Sequence, residues 1–310
     1  MGADQPVTVP SPESSAFPDV SVVMPVHDMP LALVRKAIRS VRRQDHPGPI
    51  ELVLWDDGSR DPVLQTAYAA IAGSFVDAVA PVGERVIATF RTAECRGIAR
   101  SRNDAVRRAR AEWLIWLDGD DELPPDAIGR LLAAVRTSGS PYAIGQCRVL
   151  YEGGASQVHR NARYLAAWRR HRGSEADPLA QVVFNIHGGL VHRDLFWAIG
   201  GFDPWFSHAE LVDWFRRLLR ALPHPDAFDI LDAVTYVCRK RRGSHSSDRA
   251  RVEPQRVAAL QRYALAEGVP PADLDAPMIN VETGCPEYKR VESAPASAGV
   301  EFLDRVPACP

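Results

Sequence analysis

Asp118-Gly119-Asp120-Asp121-Glu122 follows directly on the apolar run Trp113-Leu114-Ile115-Trp116-Leu117. Five bulky apolar residues are too few for a buried helix and suit a fully buried parallel strand. In open α/β sheets ligands sit beyond the carboxyl ends of such strands, which is where these acids fall. On an extended backbone Asp118 and Asp120 point the same way, and Gly119 between them admits a ligand closely. Two carboxylates so placed suit a hard divalent cation, Mn²⁺ or Mg²⁺. They cannot fill its octahedral shell, so water or phosphate oxygens must complete it and the expected ligand is phosphorylated. The same acids also suit a solvated turn that caps the helix begun by Pro124-Pro125.

A second acidic strand end, Asp56-Asp57-Gly58-Ser59, closes the strand expected at residues 50–55. A carboxylate there can accept from a base imide N–H while the Gly58-Ser59 turn offers backbone N–H groups. The plain alternative is an Asx turn. Arg96, Arg100 and Arg102 surround the start of a helical pattern that opens at Gly97, where a diphosphate or a base would meet fixed positive charge. Glu210 and Asp213 share a face at the start of a helix whose Trp214, Phe215, Leu218 and Leu219 are apolar, although the helix macrodipole alone favours acids there. Arg239-Lys240-Arg241-Arg242 precede Gly243-Ser244-His245, a layout that fits either a lid over phosphates or an exposed loop.

The elements that must carry these groups alternate. Strands are expected at residues 20–25, 50–55, 86–90 and 113–117. Between them come a helix opened by Asp28 and Pro30 with Val34, Ala37, Ile38 and Val41 inward, a helix and loop within 63–83, and the helix from Gly97. Another follows Pro125 with Ile128, Leu131, Leu132 and Val135 inward, and the repetition of strand and helix is the doubly wound α/β pattern. Arg35, Lys36, Arg39, Arg42 and Arg43 fill the outer side of the first helix and read as a solvated face. The second half is less regular, with strands near 142–150, 189–191 and 228–237, Gly200-Gly201-Phe202-Asp203, the Glu210 helix and a helix around 257–266. The expected division is a loose leader (1–18), a nucleotide half (19–125), an acceptor-side catalytic half (126–250) and a C-terminal helix and tail (251–310).

The 310 residues are 46% hydrophobic and 25% charged with a net charge of -2, which excludes a disordered or fibrous chain and argues against a dedicated nucleic-acid binder. Five scattered cysteines without a CxxC spacing suggest reduced thiols in a cytoplasmic protein and no structural zinc. No apolar run approaches the roughly 20 residues that span a bilayer, so no transmembrane segment and no export are expected.

Six segments then fall in a familiar order: Val23-Met24-Pro25-Val26-His27-Asp28, Asp56-Asp57-Gly58-Ser59, Arg96-Gly97-Ile98-Ala99-Arg100-Ser101-Arg102-Asn103, Asp118-Gly119-Asp120-Asp121, Gly200-Gly201-Phe202-Asp203 and the Glu210 helix. In that order the chain resembles an inverting family 2 glycosyltransferase of the GT-A fold. The resemblance implies a doubly wound, mostly parallel sheet flanked by helices, a nucleotide-sugar donor, commonly UDP-linked, and a divalent cation, Mn²⁺ or Mg²⁺. By motif position it implies Asp57 at the base, Pro25 beside the base through its backbone, Asp118 at the ribose or metal, and Asp120 on the cation. It places Arg100 and Asn103 near the donor; Arg241, Arg242, Ser244 and His245 are the diphosphate or lid candidates of the basic run. The family often has Tyr-Asn where this chain has His27-Asp28, and a His where this chain has Arg241, unless His245 serves. Directly after Glu the family's helix usually carries an acid, often the catalytic base; here that position is Leu211. The base is then Glu210, Asp213 or another group, with Glu210 preferred at the helix start nearest the crevice.

The expected reaction is a single displacement at the anomeric carbon, in which the base deprotonates an acceptor hydroxyl while metal and arginines absorb the leaving diphosphate's charge. A non-catalytic nucleotide-sugar-binding protein is the rival that Leu211 suggests. A nicotinamide dehydrogenase would need a G-x-G-x-x-G after the first strand, and a phosphohydrolase leaves Asp56-Asp57 unexplained. The acceptor, whether glycan, peptide, lipid-linked sugar or small natural product, would be chosen by the irregular second half. The lack of a membrane segment points to a soluble acceptor and excludes a processive synthase with its own channel.

Overall fold

The computed structural model describes residues 17–72, 84–161, 187–221 and 227–241, residues 255 and 259, and the backbone of 277–279 and 286–288. The expected leader up to residue 16 and most of the expected helix at 257–266 lie outside the described residues, as do Arg242, Ser244 and His245.

The β-branched run that begins at Val20 forms β1 (Val20–Val26), buried along its whole length because a strand lies on each side. β1 pairs in parallel with β2 (Ile50–Asp56) and with β4 (Trp113–Trp116), and β3 (Arg85–Arg91) extends the parallel set beyond β2. Past β4 the sheet changes sense. β7 (Leu190–His192) runs antiparallel to β4 and to β5 (Tyr142–Tyr151), β6 (Ser156–His159) folds back on β5, and β8 (Asp229–Lys240) lies parallel to β5. The order β3-β2-β1-β4-β7-β5-β6, with β8 beside β5, is one eight-stranded sheet that continues through both expected halves. A separate antiparallel pair joins β9 (Pro277–Ile279) to β10 (Pro286–Tyr288).

The period of two along each strand sorts the core into two layers. Val20, Val22, Met24, Ile50, Leu52, Leu54 and Ile115 face α1 (Leu31–Arg42), α2 (Pro62–Ile71) and α4 (Ala127–Ser138). Val23, Val53, Trp55, Leu114 and Trp116 face α3 (Ile98–Arg108), α5 (Arg193–Ala198) and α6 (Glu210–Ala221). The expected doubly wound arrangement is therefore present, with helices on both faces. Pro25 sits in a central strand, a place proline usually avoids. It is tolerated because β1 meets β4 only as far as Val23, whose carbonyl accepts from Leu117 N, so the missing N–H of Pro25 falls beyond the ladder. Among the described residues no helix is long and apolar enough to cross a membrane. Cys147 and Cys238 are free and buried, whereas Cys95 is disulfide-bonded, against the expectation of reduced thiols throughout.

Candidate active site

The crevice begins where β1 and β2 end. Asp56 makes the Asx turn: its Oδ1 accepts Ser59 N–H at 2.9 Å and its Oδ2 lies 3.3 Å from Arg91 Nε. Burial raises its pKa, against the lowering effect of Ser59 and Arg91. Asp57 instead reaches across to the loop before α3, accepting Arg96 N–H at 2.8 Å and Gly97 N–H at 2.9 Å, one on each oxygen, with Cys95 Sγ at 3.4 Å. Thr92 Oγ1 adds a longer contact of 3.4 Å to the oxygen that holds Arg96, so the carboxylate braces the loop before α3 from both oxygens. Gly58 is required here, since at φ +65 a Cβ would stand 2.3 Å from Glu94 C. His27 donates from Nδ1 to the Asp57 carbonyl at 2.8 Å. Asp28, left-handed at φ 44, accepts Arg60 N–H and takes Ser59 Oγ on its own N–H. Pro25 is buried one strand position before this cluster, opposite Trp55.

At the end of β4 the backbone turns rather than extends. Asp121 N–H donates to the Asp118 carbonyl at 3.0 Å, closing a turn over residues 118–121. The extended backbone on which Asp118 and Asp120 were expected to point the same way is therefore absent at this strand end. Asp120 turns to Arg241, whose Nε lies 2.9 Å from its Oδ2. Asp118 meets Asp121 and His187 instead: ligand atoms of the three lie within 4.8 Å of one another. Tyr236 orders the group, donating its hydroxyl to Asp121 at 2.8 Å, accepting Asp118 N–H at 3.1 Å and stacking on the His187 ring. Arg239 N–H also donates to Asp121 at 2.7 Å. Gly119 serves packing more than ligand access, because a Cβ there would stand 2.9 Å from Val26 Cγ1.

Burial, then the charges of Asp118 and Asp120, push the Asp121 carboxyl well above its ordinary range, and burial likewise raises Asp120. Burial lowers His187 to about 4, so its imidazole is neutral and free to offer a lone pair. Two carboxylates and a neutral imidazole suit Mn²⁺ and leave coordination places for diphosphate oxygens. Nothing in the sequence pattern singled out His187, which lies some seventy residues from the acids and joins them only because β7 pairs with β4. Tyr236 was hidden for the same reason.

α3 supplies the connection to the second half. Arg102 is 1% exposed; its Nη2 meets Asp118 Oδ1 at 2.6 Å and its Nη1 meets Glu210 Oε1. Next to it, Asn103 makes a two-way amide pairing with the backbone of Phe202, donating to the carbonyl at 2.7 Å and accepting the N–H at 2.9 Å. Asn103 thus faces the Gly200-Gly201-Phe202 turn. Arg100 is half-buried on the first turn of α3, near the Asp57 loop. On α6, Glu210 faces the crevice through Arg102, whereas Asp213 is held by Arg217 at 2.7 Å, and Arg217 also binds the Ile199 carbonyl. Leu211 is 6% exposed because 211, 214, 215 and 218 form one helical stripe packed in the core with Trp214, Phe215 and Leu218. Of the lid candidates, Arg241 is the described one, and it rests on Asp120 and Met29 Sδ.

An open α/β sheet with acids gathered at the ends of its parallel strands and helices on both faces is the GT-A fold of glycosyltransferases. The chain belongs to glycosyl transferase family 2, whose model matches residues 21–200, more than half its length. Among solved structures it is similar to TarS 1-349 of S. aureus in complex with UDP-GlcNAc, with a TM-score of 0.58 and 16% identity over 80% of this chain and 66% of that one. Among curated proteins it is 28% identical over 209 residues to the uncharacterized protein y4gI of Sinorhizobium fredii, covering 65% of this chain and 20% of that protein. It is 26% identical over 141 residues to the GalNAc(5)-diNAcBac-PP-undecaprenol beta-1,3-glucosyltransferase of Campylobacter jejuni, covering 46% and 42%. The chain spans 15% to 38% of the length of the first three curated relatives it matches.

Proposed function

We propose that this chain transfers a sugar, with inversion, from a UDP-linked donor to an acceptor hydroxyl, with a divalent cation held by Asp118, Asp121 and His187. The observation that carries the reading is that this cluster, at the carboxyl end of β4, is linked to Glu210 through Arg102. The UDP and UDP-GlcNAc complexes of TarS support the choice of donor. Asp57 and the loop it holds would receive the base. A bound cation would stabilise charge on the leaving diphosphate. Glu210 takes the proton of the acceptor hydroxyl, the hydroxyl oxygen forms its bond to the anomeric carbon, and the bond from that carbon to the phosphate oxygen breaks, its electron pair leaving with the nucleoside diphosphate. One displacement inverts the anomeric centre. Arg241, beside Asp120, adds positive charge on the diphosphate side. Residues 19–125 form the donor half and 126–250 the acceptor half in this reading.

Leu211 in the core favours one rival, a nucleotide-sugar-binding protein without transfer. The two separate in one pair of experiments. Calorimetric titration with UDP, TDP and GDP, each with and without Mn²⁺, should give UDP binding that needs the cation; no binding of any of the three would refute the donor site. In a transfer assay Glu210→Gln should lower turnover about 100-fold while sparing UDP binding. Unchanged turnover would remove Glu210 from the role, and donor binding without transfer to any hydroxyl acceptor would favour the rival.

A further inference from the structure

We propose that Arg102 is the positioning residue of this site, holding the cation-side carboxylate Asp118 and the base Glu210 on two nitrogens of one guanidinium. The inference rests on the sugar-transfer reading of the crevice and adds to it the group that fixes the base relative to the donor.

Burying a cation costs several kcal/mol unless it is paired, and α3 has exposed positions to spare: Arg107 and Arg108 lie on its solvent side. Arg102 is nevertheless almost wholly buried, with Phe202 under the guanidinium at 5.6 Å from the ring centroid. Its two terminal nitrogens go to carboxylates from different elements, Asp118 from the turn after β4 and Glu210 from the start of α6. A planar fork can do this; a lysine ammonium presents one point charge and has no matching pair of directions.

Stability alone does not call for the arrangement. Buried ion triads replaced whole by apolar side chains of similar volume often leave a protein as stable or more so, and Phe202, itself packed on Trp116 and Trp214, already lies under the guanidinium. What an apolar residue cannot do is set the direction of two carboxylates. Glu210 has special need of it, since the preceding Ala209 is left-handed at φ 60, a conformation that persists in a non-glycine residue only when its surroundings impose it. With Oε1 on Arg102, covalent geometry fixes where Oε2 points. The same guanidinium fixes Asp118, so the base and the donor site keep one spacing.

The test compares wild type with Arg102→Met, Arg102→Lys and Arg102→Ala in the full chain. Each is measured for thermal stability, Mn²⁺-dependent UDP affinity, kcat and donor KM. Arg102→Met leaves Glu210 and Asp118 without their counter-charge and should lower the melting temperature, so kcat is read well below it; there it should fall about 100-fold while donor KM changes less than kcat. Arg102→Lys should restore charge but not kcat, and added methylguanidinium should recover part of the kcat lost in Arg102→Ala. Wild-type kcat in Arg102→Met, or an equal loss in all three variants that tracks the melting temperature and is not rescued, would overturn the proposal. If wild type itself transfers nothing, the transfer reading fails. UDP affinity still tests the hold on Asp118: a weaker Mn²⁺-dependent affinity in Arg102→Met supports it and an unchanged one refutes it.

Discussion

Asp121→Asn and Asp120→Asn separate the cation site proposed on the turn from the one an extended strand would make. Asp118, Asp121 and His187 converge, whereas Asp120 is taken by Arg241. A cation present at a hundredfold its Kd stabilises the folded state by about 2.7 kcal/mol. Changes beyond the coordinating atoms cost metal sites about 10- to 100-fold in affinity, so losing one of three protein ligands should cost at least about 100-fold. At the same Mn²⁺ concentration Asp121→Asn would then sit near its own Kd, and the stabilisation would collapse to about 0.4 kcal/mol. The apo protein should not suffer. Asn can still accept Arg239 N–H and pair with the Tyr236 hydroxyl, and it removes a carboxylate that burial and two neighbouring acids disfavour in the ionised form. Denaturant unfolding with and without Mn²⁺ reads both quantities. Asp120→Asn should keep most of the Mn²⁺ effect. A Mn²⁺ effect that survives in Asp121→Asn and vanishes in Asp120→Asn would refute the geometry.

Three more outcomes follow from the same contacts. Asn103→Ala leaves the buried N–H and carbonyl of Phe202 without their partner, which should cost about 2–4 kcal/mol in urea unfolding; a loss under about 0.5 kcal/mol would show that the pairing is dispensable. Leu211→Asp, which restores the acid usual in the family, should destabilise the fold by about 3 kcal/mol or more and leave turnover no higher, because position 211 faces the core; a gain in kcat would show that the helix can turn. Asp56 has a raised folded pKa, so the folded state holds its proton longer than the unfolded chain. Its contribution is therefore present below the ordinary carboxylate pKa of about 3.9 and is lost as pH rises through the raised value. The stability of Asp56→Asn relative to wild type should rise across that window, and a flat difference would argue against the shift.

The parallel half of this fold could be read from the chain because local patterns decide it. Residues 20–26 and 50–55 are apolar except for Ser21 and Glu51, which pair with each other across β1 and β2, as strands covered on both faces require, and the helical spacing of Val34, Ala37, Ile38 and Val41 persists in α1. The acids at 56–57 and 118–121 fall at strand ends as their positions after apolar runs require. What escaped was decided by turns and by distant pairing. Whether Asp120 or Asp121 joins Asp118 depends on one backbone turn that residue types alone do not select. His187 and Tyr236 enter through β7 and β8, strands whose order in the sheet is not local information. Arg102 looked like its basic neighbours on α3; helical phase puts it inside and Arg107 and Arg108 outside, and only the partners across the crevice reveal why.

The two grips of α3 bear on mechanics. Arg102 holds the first turn of α6, Asn103 holds the turn that leads to it, and the sheet itself runs unbroken beneath both. A swing of one half against the other would have to break a buried ion pair and a paired amide at once, so α3 acts as a strut where a hinge might have been. The spacing between Asp118 and Glu210 is then set when the protein folds.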